Sequence, residues 1–357
     1  MKRPMSLELK PGIEDAARRW NAYFAGEIID RPLVWATAKQ AKAEPVEKIT
    51  YHDWIYGDID ENIDKTLKAA RAIFWGGEAV PSFFPSFGCD EVGVYTGSQL
   101  YWNEDSPETD WIKPYVNDWK DVLPLDIKDD NFYWKRKLEI YRRGAERLAG
   151  KMAMSPPDLH TNMGLLAAIR GSERLCLDLI DCPDLINEAM QSARALFPKI
   201  WGKMTEVGKM DELGYCQYLY SMEGAAALEC DFSCMISREM FRRWVLPALE
   251  EEASYVKNAV YHWDGPGALT HREALMGSRN LYTLAFAPGA GGGRHIDYLD
   301  LLLEIQKHGK AVHVTGTIEE MKYMHRFLDP EKVAYFTFNM DSPEEVEMLL
   351  EWFVKNT

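Results

Sequence analysis

Cysteine is scarce and irregularly placed in this chain. Six occur in 357 residues, at positions 89, 176, 182, 216, 230 and 234, and no C-x-x-C pair is present. That spacing excludes a dense disulfide framework, so reduced thiols are expected. Cys230 and Cys234 form a C-x-x-x-C, but Ser237 stands where a third thiolate would be needed, and both read as small buried hydrophobes. Long apolar runs are also missing. None approaches the roughly 18 residues of a membrane span, and Met-Lys-Arg-Pro leads straight into polar sequence without a signal-peptide core. A cytoplasmic protein without membrane contact is the expectation. Positive charge is the third shortage: 41 Lys and Arg against 56 Asp and Glu leave a net charge of −15. A surface of that sign repels phosphate backbones, so nucleic acid is not an expected partner.

What is present has the composition of a globular protein, with 46% hydrophobic and 27% charged residues. Short β-branched or aromatic runs alternate with stretches of helical period, the signature of a parallel sheet covered by helices. Eight runs qualify as strands: 33–37, 79–83, 151–155, 213–219, 259–263, 281–286, 311–315 and 333–338. No Gly-rich dinucleotide turn follows an early strand, so an α/β fold of the TIM (β/α)8 type is expected over an open doubly wound sheet. The whole chain, 1–357, reads as one such domain, with residues 1–30 a helical extension whose first helix is Glu14 to Phe24.

Local chemistry supports these boundaries. Gly309 is a natural C-cap for the helix 299–308. Ser342, Pro343 and Glu345 spell a helix start with a capping-box acid. Pro247 should bend or break the helix that runs from about 237 to 257. The segment 99–134, rich in Asp, Asn, Pro and Trp, reads as an irregular excursion.

In a barrel, side chains at the carboxyl ends of the strands converge on one mouth. His262 and Asp264 are two residues apart on a strand and share a face before Gly265-Pro266-Gly267 turns the chain. Such a pair can ligate a metal, act as acid and base, or be a buried hydrogen bond. His313 runs toward the same mouth on its own strand, as a further ligand or proton carrier or as a core histidine. Asp158 and His160 follow Ser155-Pro156-Pro157, which fixes the direction of the backbone. Tyr215 and Gln217 share one face of their strand, Cys216 and Tyr218 the other, and Glu223 just beyond is a candidate inward acid. Trp35 and Phe286 are candidate substrate contacts on their strands. Arg294, after Gly289-Ala290-Gly291-Gly292-Gly293, could add charge to an anion-binding loop.

Three stretches together resemble the uroporphyrinogen decarboxylase superfamily, TIM barrels that include the haem-pathway decarboxylase and zinc-dependent, corrinoid-linked methyltransferases. They are Met163 to Glu173 continuing through Asp181-Cys182-Pro183-Asp184-Leu185, Ile236 to Pro247 with its Val245-Leu246-Pro247 ending, and His262-Trp263-Asp264-Gly265. The resemblance spans most of residues 150 to 350. Two departures bear on function. The stretch Pro32 to Gln40 lacks the Arg with which the decarboxylase neutralises substrate carboxylates, and Asp264 replaces the family's thiolate, with no Cys after 234. The resemblance implies a small-molecule methyltransferase supplied with a corrinoid by a partner protein, in which His262, Asp264 and His313 bind zinc or another divalent metal through harder ligands, or none. It also implies a homodimer. Decarboxylation is the alternative, in which a general acid protonates carbon as CO₂ leaves. A glycoside hydrolase or a non-catalytic binding barrel follow as further readings.

Overall fold

The computed structural model describes residues 2–40, 44–102 and 110–357. Parallel β-structure with helices between the strands dominates. Six parallel strands form the main sheet in the order Leu33–Lys39, Val333–Met340, Ala311–Thr315, Thr283–Ala287, Asn258–Asp264 and Ala225–Glu229, with Ile73–Gly77 added antiparallel beside the first. A smaller sheet places Ser82–Phe83, Ala153–Met154 and Tyr215–Cys216 in parallel, with Tyr220–Ser221 antiparallel at its edge. The two sheets are tied where Ala227 N–H donates to Gln217 Oε1 at 3.0 Å. No helix among the described residues is long and apolar enough to cross a membrane.

Each expected strand corresponds to observed β-structure, though 79–83, 151–155 and 213–219 shrink to two-residue cores. Ala225–Glu229 was not among the expected strands. Its sequence, Ala-Ala-Ala-Leu-Glu, has helix-forming composition, and its β-conformation comes from pairing with Asn258–Asp264, where burial overrides propensity. The excursion 99–134 contains a hairpin between Leu100–Trp102 and Asp110–Ile112 and a short turn of helix at Trp119–Asp121. Its residues 103–109 lie outside the described ones.

The capping signals act as their chemistry demands. Gly309 follows the helix Leu299–Lys307 at φ 76°, a left-handed position open to glycine at no steric cost. Ser342 Oγ accepts from Glu345 N at 3.2 Å, while the Glu345 carboxylate reaches back to Asp341 N at 3.1 Å, one residue beyond the expected box. Pro247 has no N–H to give to the preceding turn, and the chain absorbs the loss as a π-helical turn over Phe241–Val245 before α-helix resumes at Leu246–Tyr255.

The N-terminal helix Ile13–Phe24 packs under the amino-terminal ends of the strands. Trp20 donates its indole N–H to Glu78 O at 3.0 Å, and the Tyr23 hydroxyl lies 3.2 Å from Thr283 Oγ1. Beside it, Arg31 grips Glu78 through two bonds of 2.7 and 2.9 Å, and Glu78 also accepts from Val34 N at 2.9 Å. Both side chains are buried, so the pair pins the start of the first strand to its antiparallel neighbour. Glu78→Gln removes the carboxylate that Arg31 grips in the core, and urea unfolding should show a loss of roughly 3–5 kcal/mol. An unchanged midpoint would mean that the pair does not support this corner.

Candidate functional site

Alternation along the strands decides what faces the interior. On Asn258–Asp264, Val260 and His262 point inward, while Tyr261 and Trp263 are buried on the opposite face, Trp263 donating to Ala268 O at 3.0 Å. Ala227, Ala285 and Ala287 take inward positions on neighbouring strands, and their small side chains leave a cavity of about 380 Å³ toward the carboxyl ends. His262, His295, His313, Thr315, Gln217 and Tyr218 supply its polar edges. Sites of this kind form where parallel strands end, because every strand delivers its last inward side chain to the same place.

Register sets the electrostatics. In the parallel pairing, His262 lies directly opposite Glu229, and His262 Nε2 is 4.0 Å from Glu229 Oε2. The other Glu229 oxygen is hydrogen-bonded to His160 Nε2. Burial raises the pKa of Glu229, but the charge and hydrogen bond of His160, with His262 behind, outweigh it and hold the carboxyl below its usual value. Burial likewise opposes the His160 cation, and Glu229 overcomes it, raising the imidazole well above its usual range. The result is a buried imidazolium–carboxylate pair with a second, half-exposed imidazole on its cavity side.

Asp158 lies next to this pair. Burial and then the Glu229 charge raise its carboxyl, and Gln217 donates to it while accepting from Ala227 N. Gln217 is thereby locked with its amide between the two sheets. Asn162 donates to Glu229 O at 3.0 Å and caps the helix Met163–Arg170 by accepting from Gly164 N at 3.1 Å. Glu252, fully buried behind this loop, accepts from Thr161 Oγ1 at 2.7 Å.

The other two histidines of the cavity are neutral, for different reasons. His295 donates from Nε2 to Phe286 O at 2.8 Å, leaving Nδ1 to accept from Thr315 Oγ1 at 2.9 Å, which fixes one tautomer. Burial lowers its pKa. His313 is pushed down to about 3 by burial and by His295 and His262 nearby. Its buried Nε2 has no hydrogen-bond partner.

The expected site residues separate into two groups. His262, His313 and Gln217 line the cavity, while Asp158 and His160 lie behind it in the Glu229 network. Trp35 faces an adjoining cavity. Phe286 borders the first, but its ring packs against Trp263 and Tyr298, with centroids 5.8 and 4.8 Å away. Four expectations are corrected. Asp264, past the end of the inward face, is exposed at the rim beside Gly289, and the carboxylate next to His262 is Glu229 instead. Tyr215 points outward, stacked on Trp201 at 5.6 Å and donating to Asp211 at 3.1 Å. Glu223 precedes its strand, at the amino-terminal end, and pairs with Lys257. Arg294 is exposed and bonded to Glu320, so its charge is spent at the surface.

Glu229 and His295 were not foreseen. The only sequence signal for Glu229 was an acid closing a short apolar run, and for His295 a histidine just after the glycine-rich loop. A divalent ion held by His262, Asp264 and His313 does not fit this arrangement, since Asp264 lies outside the cavity. Among the described residues no three His, Cys, Asp or Glu side chains gather as a metal-ligating group.

Comparison with known proteins finds no matching family model and no matching curated protein. Among solved structures, the chain is similar to a methyltransferase from Methanosarcina mazei, with a TM-score of 0.60, 12% identity, and 96% of this chain and 98% of that chain covered. At that identity the likeness is one of fold.

Glu252 provides a direct probe of the support behind the site. Burial raises its carboxyl from 4.5 to about 8, so the folded state holds the proton more tightly than the unfolded chain. Stability from this group is therefore complete below about pH 4.5 and falls as pH rises toward 8. Glu252→Gln should match the parent protein near pH 4.5 and exceed its melting temperature increasingly up to pH 8. A difference independent of pH would show that Glu252 does not titrate in this range.

Proposed function

We propose that this chain is a methyltransferase acting on a small molecule at the carboxyl end of its parallel strands, within a barrel of the uroporphyrinogen decarboxylase type. Closure of the two parallel sheets into a TIM barrel is part of the proposal, and the bond between Ala227 and Gln217 across them supports it. The observation that carries the reading is His262, which lines the cavity with Glu229 beside it and His160 behind. Glu229 stands 4.0 Å from His262 Nε2, and the imidazole is half-exposed to the cavity, within reach of a bound molecule as a proton donor.

Methyl transfer uses these groups as follows. The bond between the methyl carbon and its heteroatom breaks, its electron pair remaining with the heteroatom, which takes the proton held on His262 Nε2. The methyl carbon passes to a nucleophile aligned on its far side. A corrinoid on a partner protein is the acceptor implied by this reading. This chain's residues bind, orient and protonate, and no step needs a metal held by the cavity histidines. A homodimer belongs to the same proposal.

Decarboxylation ranks second. Among the described residues no Lys or Arg lines the histidine cavity to bind a substrate carboxylate. A carboxylate there would meet Glu229, and although His262 could pair with it, the neutral His295 and His313 do little to offset its desolvation cost.

Methyl transfer from methylated small molecules to free cob(I)alamin tests the proposal, with CO₂ release measured in parallel. His262→Ala should lower kcat/KM by about 10²–10⁴, and Glu229→Gln, which removes the carboxylate facing His262, should lower it as well. Turnover unaffected by His262→Ala, or CO₂ as the product, would overturn the assignment.

A further inference from the structure

The buried ion pair behind the histidine cavity borders a second space. His160 lines a separate cavity of about 350 Å³, walled also by Cys89, Asp90, Ala168, Ser172 and Asp231. Among the described residues none lines both cavities. A row of three side chains joins them. His262 lines the first, His160 lines the second, and Glu229 stands between, one oxygen 4.0 Å from His262 Nε2 and the other hydrogen-bonded to His160 Nε2. His160 is only 5% exposed. Its Nε2 is committed to Glu229, which leaves Nδ1 for the second cavity. That nitrogen lies beside Gly164, where an added Cβ would stand 3.5 Å away, and Gly164 is part of the same wall.

A molecule bound in the histidine cavity stands between His262 and bulk water. Once His262 has given up a proton, the next one must arrive from a direction that the bound molecule leaves open. An imidazole suits that task, because it can accept a proton on one ring nitrogen while releasing one from the other. The acids whose charges act on His160 form two groups. Glu229, Asp158 and Glu252 belong to the interior, whereas Asp90 and Asp231 line the second cavity. Those two carboxyls and the Ser172 hydroxyl give water the polar partners it needs in a space of this size.

We propose that His160 carries protons from this outer cavity to His262 by way of Glu229. The inference rests on the reading of His262 as a proton donor and adds the route by which its proton is replaced. Glu229 takes the Nε2 proton of His160, turns its carboxyl, and passes the proton to His262 Nε2. His160 then takes a proton at Nδ1 from water in the outer cavity, and its ring returns to the imidazolium form. One proton enters from water for each proton that His262 gives up, and the charge of the three side chains is restored.

Nuclear magnetic resonance of the intact protein, labelled with ¹⁵N in its histidine rings, tests the route without a methyl donor or acceptor. Because His262 also meets water through its own cavity, Ala285→Trp is introduced to fill that space, with Ala287→Phe as a second choice. Exchange of the His262 ring N–H with water should continue in that variant. Adding Ala168→Phe, which fills the outer cavity, should then slow it about tenfold or more. Ser172→Phe is an independent plug, and far-UV circular dichroism shows which variants fold. His262 exchange that ceases when its own cavity alone is filled, or that neither outer plug slows, would overturn the inference. So would a His160 ring found neutral at pH 7. If the route is found but no methylated compound donates a methyl group to cob(I)alamin, the proton route stands and the reaction reading falls. If methyl transfer depends on His262 while its exchange ceases with its own cavity filled, the reaction reading stands and the proton route falls.

Discussion

A carboxylate buried as deeply as Glu229 would ordinarily take up a proton, because leaving water costs a charge far more than it costs an acid. Here it stays ionised because an imidazole meets each of its oxygens, His160 by a hydrogen bond and His262 at ion-pair distance. The surrounding structure serves that arrangement. Asn162 holds the Glu229 backbone, Thr161 and Glu252 brace the loop carrying His160, and Gln217 ties Asp158 to the neighbouring strand. Removing either imidazole would leave a strongly desolvated charge, so the three residues are a unit rather than separable parts.

The unit works because the rest of the cavity is kept neutral. His295 is fixed in one tautomer between a carbonyl and a hydroxyl, and His313 is too deeply buried to carry a proton at ordinary pH. Three imidazoles of one type therefore take different roles. The half-exposed one stands beside a carboxylate, the doubly bonded one is held in place, and the buried one has a nitrogen without a hydrogen-bond partner.

The α/β alternation, the parallel strands from 258 onward and the helix caps were legible in the sequence because they depend on local periodicity and on single residues with fixed backbone preferences. Gly309 can take its positive φ without steric cost, and Pro247 lacks an N–H in any context. His262 was recognisable because a polar residue at the end of an otherwise apolar strand stands out. Glu229 was not, since the run of alanines before it has no preference for β-structure, and only the neighbouring strand makes it extended.

Sequence alone thus determined an α/β pattern, an excess of acidic over basic residues, and a histidine at a strand end. It could not decide which acid serves that histidine. Asp264 was the nearer in sequence, but a strand carries it past the rim, whereas parallel register brings Glu229 from 33 residues away to lie opposite His262. The side-chain period of a strand is read along one chain, but the partner across a ladder is chosen by how whole strands align. That alignment is a property of the packed sheet and has no local trace.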